Sequence, residues 1–114
     1  MGSAYKTRER LAPTTTITAV LTERAREADE AAWWAERDTE EVEARAAEVA
    51  STIEPLEAAE RAAAGNGWWA YQYAQMMASN ARSTFAALTA EGSRLRRVAE
   101  AARLDATAKR HAAR

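Results

Sequence analysis

The chain has no cysteine, one histidine and one phenylalanine, and only two prolines and four glycines among its 114 residues. Each shortage closes something off. Without thiols there is no disulfide, no thiolate nucleophile and no thiolate metal site, and the redox compartment stays undetermined. The single histidine, His111, stands near the end of the chain and reads as a solvated residue, not a ligand or a catalyst. Helix breakers are scarce while alanine fills 31 positions, so an all-α chain forming one domain is expected. There is no long hydrophobic run either. The least charged stretch, residues 65–90, contains Asn66, Gln72, Gln75, Ser79, Asn80, Arg82 and Ser83, too polar for a membrane span. Lys6, Arg8 and Arg10 are followed by no apolar segment, so no secretory signal is expected. These absences predict a soluble protein, cytoplasmic or carried within a virion.

What is present is helical periodicity. Residues 1–13 read as an N-terminal leader, with residues 14–114 forming one helical domain. Pro13 and the hydroxyls of Thr14, Thr15 and Thr16 mark a helix entry. One heptad frame then runs through Thr18, Ala25, Ala32, Thr39, Ala46, Ile53 and Glu60 at its a positions, and through Leu21, Ala28, Ala35, Val42, Val49, Leu56 and Ala63 at its d positions. Such a seam of small residues lets neighbouring helices approach closely. A first helix over about 15–64 follows, with a kink expected where Pro55 removes one backbone hydrogen bond and crowds the carbonyl of Ser51. Gly65-Asn66-Gly67 is the clearest punctuation; its two glycines are expected to supply the positive φ angles of a turn over 65–67. A second helix over about 68–112 repeats the pattern through Tyr71, Ala78, Phe85, Gly92 and Ala99, and through Ala74, Ala81, Leu88, Leu95 and Ala102. The phase holds across Gly92-Ser93, which favours a long antiparallel helical hairpin, coiled-coil-like with an Ala-rich seam. A break at Gly92-Ser93 would instead give a three-helix bundle.

Charge supports the hairpin. Residues 13–64 hold thirteen acids against five bases, and residues 94–114 hold seven bases against two acids. Folding at residue 66 sets opposite each other positions whose numbers add to about 132. The basic end then lies beside Glu23, Glu27, Asp29, Glu30, Glu36 and Asp38. Basic residues used within the fold leave no phosphate-tracking surface, so nucleic-acid binding is not the expectation. Its rival form is a nucleic-acid-associated protein using Arg94, Arg96, Arg97, Arg103, Lys109 and Arg110 of the basic C-terminal helix.

The bulky residues do not fit the narrow seam. Trp33-Trp34 and Trp68-Trp69 are doublets, and adjacent helical residues point about 100° apart, so part of each doublet must face elsewhere. Trp68 to Leu88 adds Tyr71, Tyr73, Met76, Met77 and Phe85 with Arg82 as its sole charge; apolar residues on all sides predict a helix with several neighbours. Ordinary core is the plain reading of this cluster. The functional alternatives are an apolar ligand pocket with Asn66, Gln72, Gln75 or Asn80 as polar contacts, and a docking surface with adaptable methionines. Four indoles represent roughly 600–1,000 Å² of ring surface, above the largest apolar patch of a typical monomer at about 300–600 Å². Self-association is therefore expected, with Trp33, Trp34, Trp68, Trp69, Tyr71, Tyr73, Met76, Met77 and Phe85 as candidate interface residues.

Nothing points to catalysis. The acidic run Glu36, Asp38, Glu40, Glu41, Glu43 and Glu48 lacks the Glu-x-x-His spacing of carboxylate metal sites in bundles, so a solvated face is expected, with no metal and no cofactor. Residues 72–92, expected opposite this run, offer only Arg82. That leaves the acidity for a protein partner with a basic surface. No P-loop, dinucleotide fingerprint or nucleophile elbow occurs, and Gly65-Asn66-Gly67 has no preceding strand of the kind a phosphate loop requires.

The turn Gly65-Asn66-Gly67 followed by Trp68-Trp69 resembles the turn of small WxG-type helical hairpins exported by actinobacterial secretion systems, although here glycine precedes tryptophan and no C-terminal Tyr-x-x-x-acid signal follows. Trp69-Ala70-Tyr71-Gln72-Tyr73-Ala74 is similar to an aromatic stretch in a bacterial membrane-anchored family, without that family's flanking spans. Neither resemblance implies an activity here. The residues predict a non-enzymatic structural or adaptor protein acting through helix packing, such as a component of a bacterial or bacteriophage assembly. The rival of another class is a small-molecule-binding bundle with an aromatic and methionine pocket.

Overall fold

A computed structural model describes the backbone of residues 2–114 and the side chains of residues 16–114. Two helices make up the fold: α1, Gly2–Ala63, and α2, Trp68–Ala112. They pack as a helical hairpin. The side chains of the expected leader over 1–13 lie outside the described residues, and the helix that includes this segment is assigned from Gly2.

The connection is built by Asn66 and Gly67. The Asn66 side-chain amide donates to the Ala62 carbonyl at 3.1 Å and its backbone amide to the Ala63 carbonyl at 2.9 Å. Two carbonyls left open by the end of α1 are thereby satisfied. Gly67 adopts φ 102°, and its carbonyl accepts the Tyr71 amide at 3.1 Å, opening α2. Both glycines were expected to need positive φ. Only Gly67 does, because the asparagine side chain finishes the end of α1 in a backbone conformation open to any residue.

Two compact units are distinguished along the pair. One comprises Met1–Ala35 with Arg97–Arg114, the other Glu36–Arg96. In the second unit α1 continues through Pro55 as helix. Near the carbonyl that the proline deprives, the Ser51 hydroxyl donates to the Glu48 carbonyl at 2.6 Å and the Thr52 hydroxyl to the Val49 carbonyl at 2.7 Å, a local pairing that often accompanies bending. The second helix also passes Gly92-Ser93 unbroken, so the three-helix alternative is not adopted. Gly92 is buried, and a methyl group built on it would meet Glu43 Cγ at 3.7 Å and Val42 Cγ1 at 3.8 Å. A methyl would thus fit at ordinary contact distance, and α2 continues through a residue that weakens a helix by about 1 kcal/mol relative to alanine.

The heptad frame describes where the core sits. With Tyr71, Ala78, Phe85, Gly92 and Ala99 taken as a positions of α2, the buried residues Ala25, Ala32, Thr39 and Ala46 of α1 and Ala78, Gly92, Ala99 and Ala106 of α2 are all a positions. Ala35, at d, is buried with them, while Val42, Val49, Leu56, Leu88 and Leu95, also at d, are half-buried. Among the described residues no large side chain is fully buried. Each alanine methyl removed from water contributes about 0.8 kcal/mol, which makes this a thin core for the length of helix it orders. No helix among the described residues is long and apolar enough to cross a membrane.

Candidate functional site

The ionic and apolar residues sort onto different strips of the helices. Four arginines at heptad position e of α2 reach acids at position e of α1. Arg82 approaches Glu57 at 3.6 Å and Arg96 pairs with Glu43 in the unit Glu36–Arg96. In the other unit Arg103 donates to Asp29 at 3.0 Å and Arg110 reaches the second oxygen of the same carboxylate. Antiparallel packing brings the e positions of the two helices face to face, so register and charge select each other. The Arg103–Asp29 pair lies on the register expected from a fold at residue 66, and the other three lie one heptad further along. The expectation that Arg82 alone faces the acidic run is corrected: Arg82 pairs with Glu57, and Glu43 within the run pairs with Arg96. The signal was the shared e position of Asp29, Glu36, Glu43 and Glu57 against Arg82, Arg96, Arg103 and Arg110, which a search for charge blocks passes over.

Three further ion pairs are local. Arg26 donates to Glu23 through Nε at 3.1 Å and Nη2 at 2.5 Å; Arg94 does the same to Glu91 at 2.9 and 2.5 Å. These hydrogen bonds hold the Glu23 and Glu91 carboxyls below their ordinary range and push both guanidinium groups up. Lys109 reaches Asp105 at 2.6 Å. Five of the six basic residues considered for nucleic-acid contact, Arg97 being the exception, thus have acidic partners within the chain. Among the described residues no group of three or more His, Cys, Asp or Glu converges on a metal position.

The candidate interface residues behave differently. Trp33 and Trp34 are 45% and 54% exposed; Trp68 and Trp69 are 64% and 79% exposed. Within each doublet the rings meet edge to face, with centroids 4.8 Å apart for Trp33-Trp34 and 4.6 Å for Trp68-Trp69. Tyr73, Met76 and Met77 are exposed as well, whereas Tyr71 and Phe85 sit half-buried on the seam. The plain reading of this cluster as core is therefore corrected, because a seam narrow enough to close on alanine has no room for an indole. Only Tyr71 and Phe85 of the nine belong to the helix pairing itself.

Trp68, Trp69, Gln72, Tyr73 and Met76 line a surface cleft of about 350 Å³. Of the polar residues expected at an aromatic pocket only Gln72 lines it; Asn66 is engaged at the end of α1, and Gln75 and Asn80 stand apart from the lining. A second groove of about 440 Å³ opens where Ala46 and Gly92 lack bulk, with Phe85, Leu88 and the Glu43–Arg96 pair on its walls. A third, of about 440 Å³, lies along α1 and is lined by Thr16, Ala19, Val20, Glu23, Arg24 and Glu27.

Comparison of the chain with protein-family models, with curated proteins and with solved structures gave no match in any of the three.

Proposed function

We propose that this chain is a non-enzymatic structural or adaptor protein that works by helix packing and self-association, burying its exposed rings between subunits. One observation carries the reading: both tryptophan doublets are largely open to water in a hairpin that, among the described residues, buries nothing larger than a threonine. Exposed apolar area of that size is what monomeric proteins avoid and assemblies use. The thin alanine core adds a reason, since further burial would supply stability that the seam alone does not. A component of a bacterial or bacteriophage assembly, acting in the cytoplasm or inside a virion, suits this role. The acids Asp38, Glu40, Glu41 and Glu48, outside the seam and exposed, suit contact with a basic protein surface.

Gel filtration with light scattering tests the proposal directly. A multiple of the chain mass is expected for the unmodified protein, falling toward one chain when Trp68 and Trp69 are replaced by alanine. A single-chain mass at high concentration, with tryptophan fluorescence already that of shielded indoles, overturns it. The cleft beside Trp68 and Trp69 favours a second reading, a binder of flat apolar molecules; its volume falls in the range of about 300–1,000 Å³ typical of ligand pockets. Quenching or a blue shift of tryptophan fluorescence by such ligands, lost in Trp69→Ala, would support that reading over assembly.

A further inference from the structure

The unit Glu36–Arg96 has two unlike outer walls. On α1, the positions facing away from the seam (b, c and f) carry Arg37, Glu40, Glu41, Glu48, Glu54 and Arg61. The same positions on α2, from Trp69 to Ala90, carry no charge at all. Arg82, the only charged residue between Trp68 and Ala90, sits at position e and turns toward Glu57 of α1. Six turns of outer helix surface without a charge, with Gln72, Ser79, Asn80 and Ser83 as its polar groups, depart from the charged character of a solvated helix face and leave Trp69, Tyr73 and Met76 to be covered.

The order of side-chain sizes along this face identifies what covers it. Its first half is bulky, with Trp69, Tyr73 and Met76 at 79%, 63% and 50% exposure. Its second half is small, with Ser83, Ala87 and Ala90 exposed on the same strip. Two copies of the face running antiparallel about a two-fold axis at Asn80 place Tyr73 of one copy over Ala87 of the other and Met76 over Ser83 and Thr84, and bring Trp69 to the end of the strip beside Ala90 and Glu91. Tyr73 and Met76 thus meet small side chains, and Trp69 reaches the alanine that ends the strip. A parallel pairing would set ring against ring and leave the alanines facing a gap. Size complementarity of a surface with its own reverse is the requirement of an isologous contact.

We infer that a second copy of this chain occupies this face, with the two α2 helices antiparallel at the centre and the charged α1 helices outside. This rests on the self-association proposed above and specifies its surface and direction. The area agrees. Trp69 and Tyr73, at about 150–250 Å² per ring and roughly two-thirds or more exposed, together with half-exposed Met76, offer on the order of 300–400 Å² per copy. Two copies double this, and the small-residue surfaces that receive the rings add a comparable amount. The total reaches the roughly 1,200–2,000 Å² of specific interfaces.

The absence of cysteine makes the contact readable by cross-linking. Under mild oxidation Asn80→Cys, on the axis, is expected to give a disulfide-linked dimer, while Glu41→Cys on the outer wall of α1 stays unlinked. Mixing Tyr73→Cys with a mass-tagged Ala87→Cys is expected to give the mixed dimer in excess over either self-linked form. Ala87→Glu, which places a charge where a ring should sit, is expected to raise the dissociation constant more than about 30-fold, a loss of ~2 kcal/mol, with helical circular dichroism unchanged. A single-chain mass for the unmodified protein overturns both this inference and the self-association it rests on. An oligomer that links through Glu41→Cys in preference to Asn80→Cys, or in which Tyr73→Cys links mainly to itself, leaves self-association standing and overturns the antiparallel α2 pairing. An oligomer indifferent to Ala87→Glu does the same.

Discussion

The two tryptophan doublets are the same dipeptide on the same kind of helix, yet they belong to different surroundings. Trp33-Trp34 sits among Glu30, Glu36 and Arg37, in the unit where Asp29 draws in both Arg103 and Arg110. Trp68-Trp69 opens a strip with no outward charge for six turns. The unit holding the first doublet carries both inter-helix pairs of Asp29 as well as its exposed rings; the unit holding the second presents an uncharged outer wall. An exposed ring is therefore weak evidence by itself, and its neighbours decide whether it belongs to an extended contact or a local one.

The largest expected effect separates the doublets. Replacing Trp68 and Trp69 by alanine should weaken assembly at least about 30-fold, since central interface aromatics typically contribute ~2 kcal/mol or more. The Trp33→Ala, Trp34→Ala variant should change it only a few fold, measured by analytical ultracentrifugation over a dilution series. Equal losses would erase the distinction between the two surroundings.

Next in size is the turn that precedes the uncharged wall. Gly67→Ala forces a side chain into positive φ and should cost about 1–2 kcal/mol, lowering the melting temperature by roughly 5–10 °C. Gly65→Ala meets open space at an ordinary φ and should be neutral or stabilise by up to about 1 kcal/mol. Similar melting curves for the two would place the turn's strain elsewhere.

The ionic unit should respond more weakly to its own substitution. Asp29→Asn removes the charge shared by Arg103 and Arg110 and should cost about 1 kcal/mol or less, because exposed pairs contribute little. Faster amide exchange in residues 97–112, with residues 68–90 unaffected, is the expected pattern. Exchange rising equally in both would mean that the ion pairs hold the whole hairpin.

Smallest is the effect of acid. Each unit has one local pair with a lowered carboxyl, Glu23 with Arg26 and Glu91 with Arg94. The folded chain then binds fewer protons at these groups than the unfolded chain. Their contribution is fully present above the ordinary carboxylate range and fades as pH falls through and below it. A slight loss of thermal stability below about pH 4.5, shared by both units and leaving the α2 contact intact, is expected from stepwise calorimetry and light scattering. Dissociation over that same range would assign the contact to carboxylates instead of rings.

Much of this architecture was legible beforehand. The helices, the turn at 65–67 and the a and d positions of the seam all follow from local preference and a seven-residue rhythm, and the buried alanines fall on that rhythm. The candidate site was only half legible. That the doublets could not share the seam follows from the angle between adjacent residues, but the cluster from Trp68 to Leu88 reads equally well as core, and only the exposure of Trp69, Tyr73 and Met76 removes it from the interior. The paired e positions were present in the sequence too, hidden because they recur singly among other charges.

By itself the amino-acid order determined what depends on near neighbours: helix, turn, and which strip of each helix is small enough to close on another. Tertiary structure decided what depends on residues far apart in the chain. Gly92 permits either a break or a continued helix locally, and α2 runs on through it where it is buried beside α1. The arginines of α2 could serve many partners, and the antiparallel register hands four of them to Asp29, Glu43 and Glu57. The physical reason is common to both cases: a local preference separates conformations by a kcal/mol or so, and packing between distant segments outweighs it.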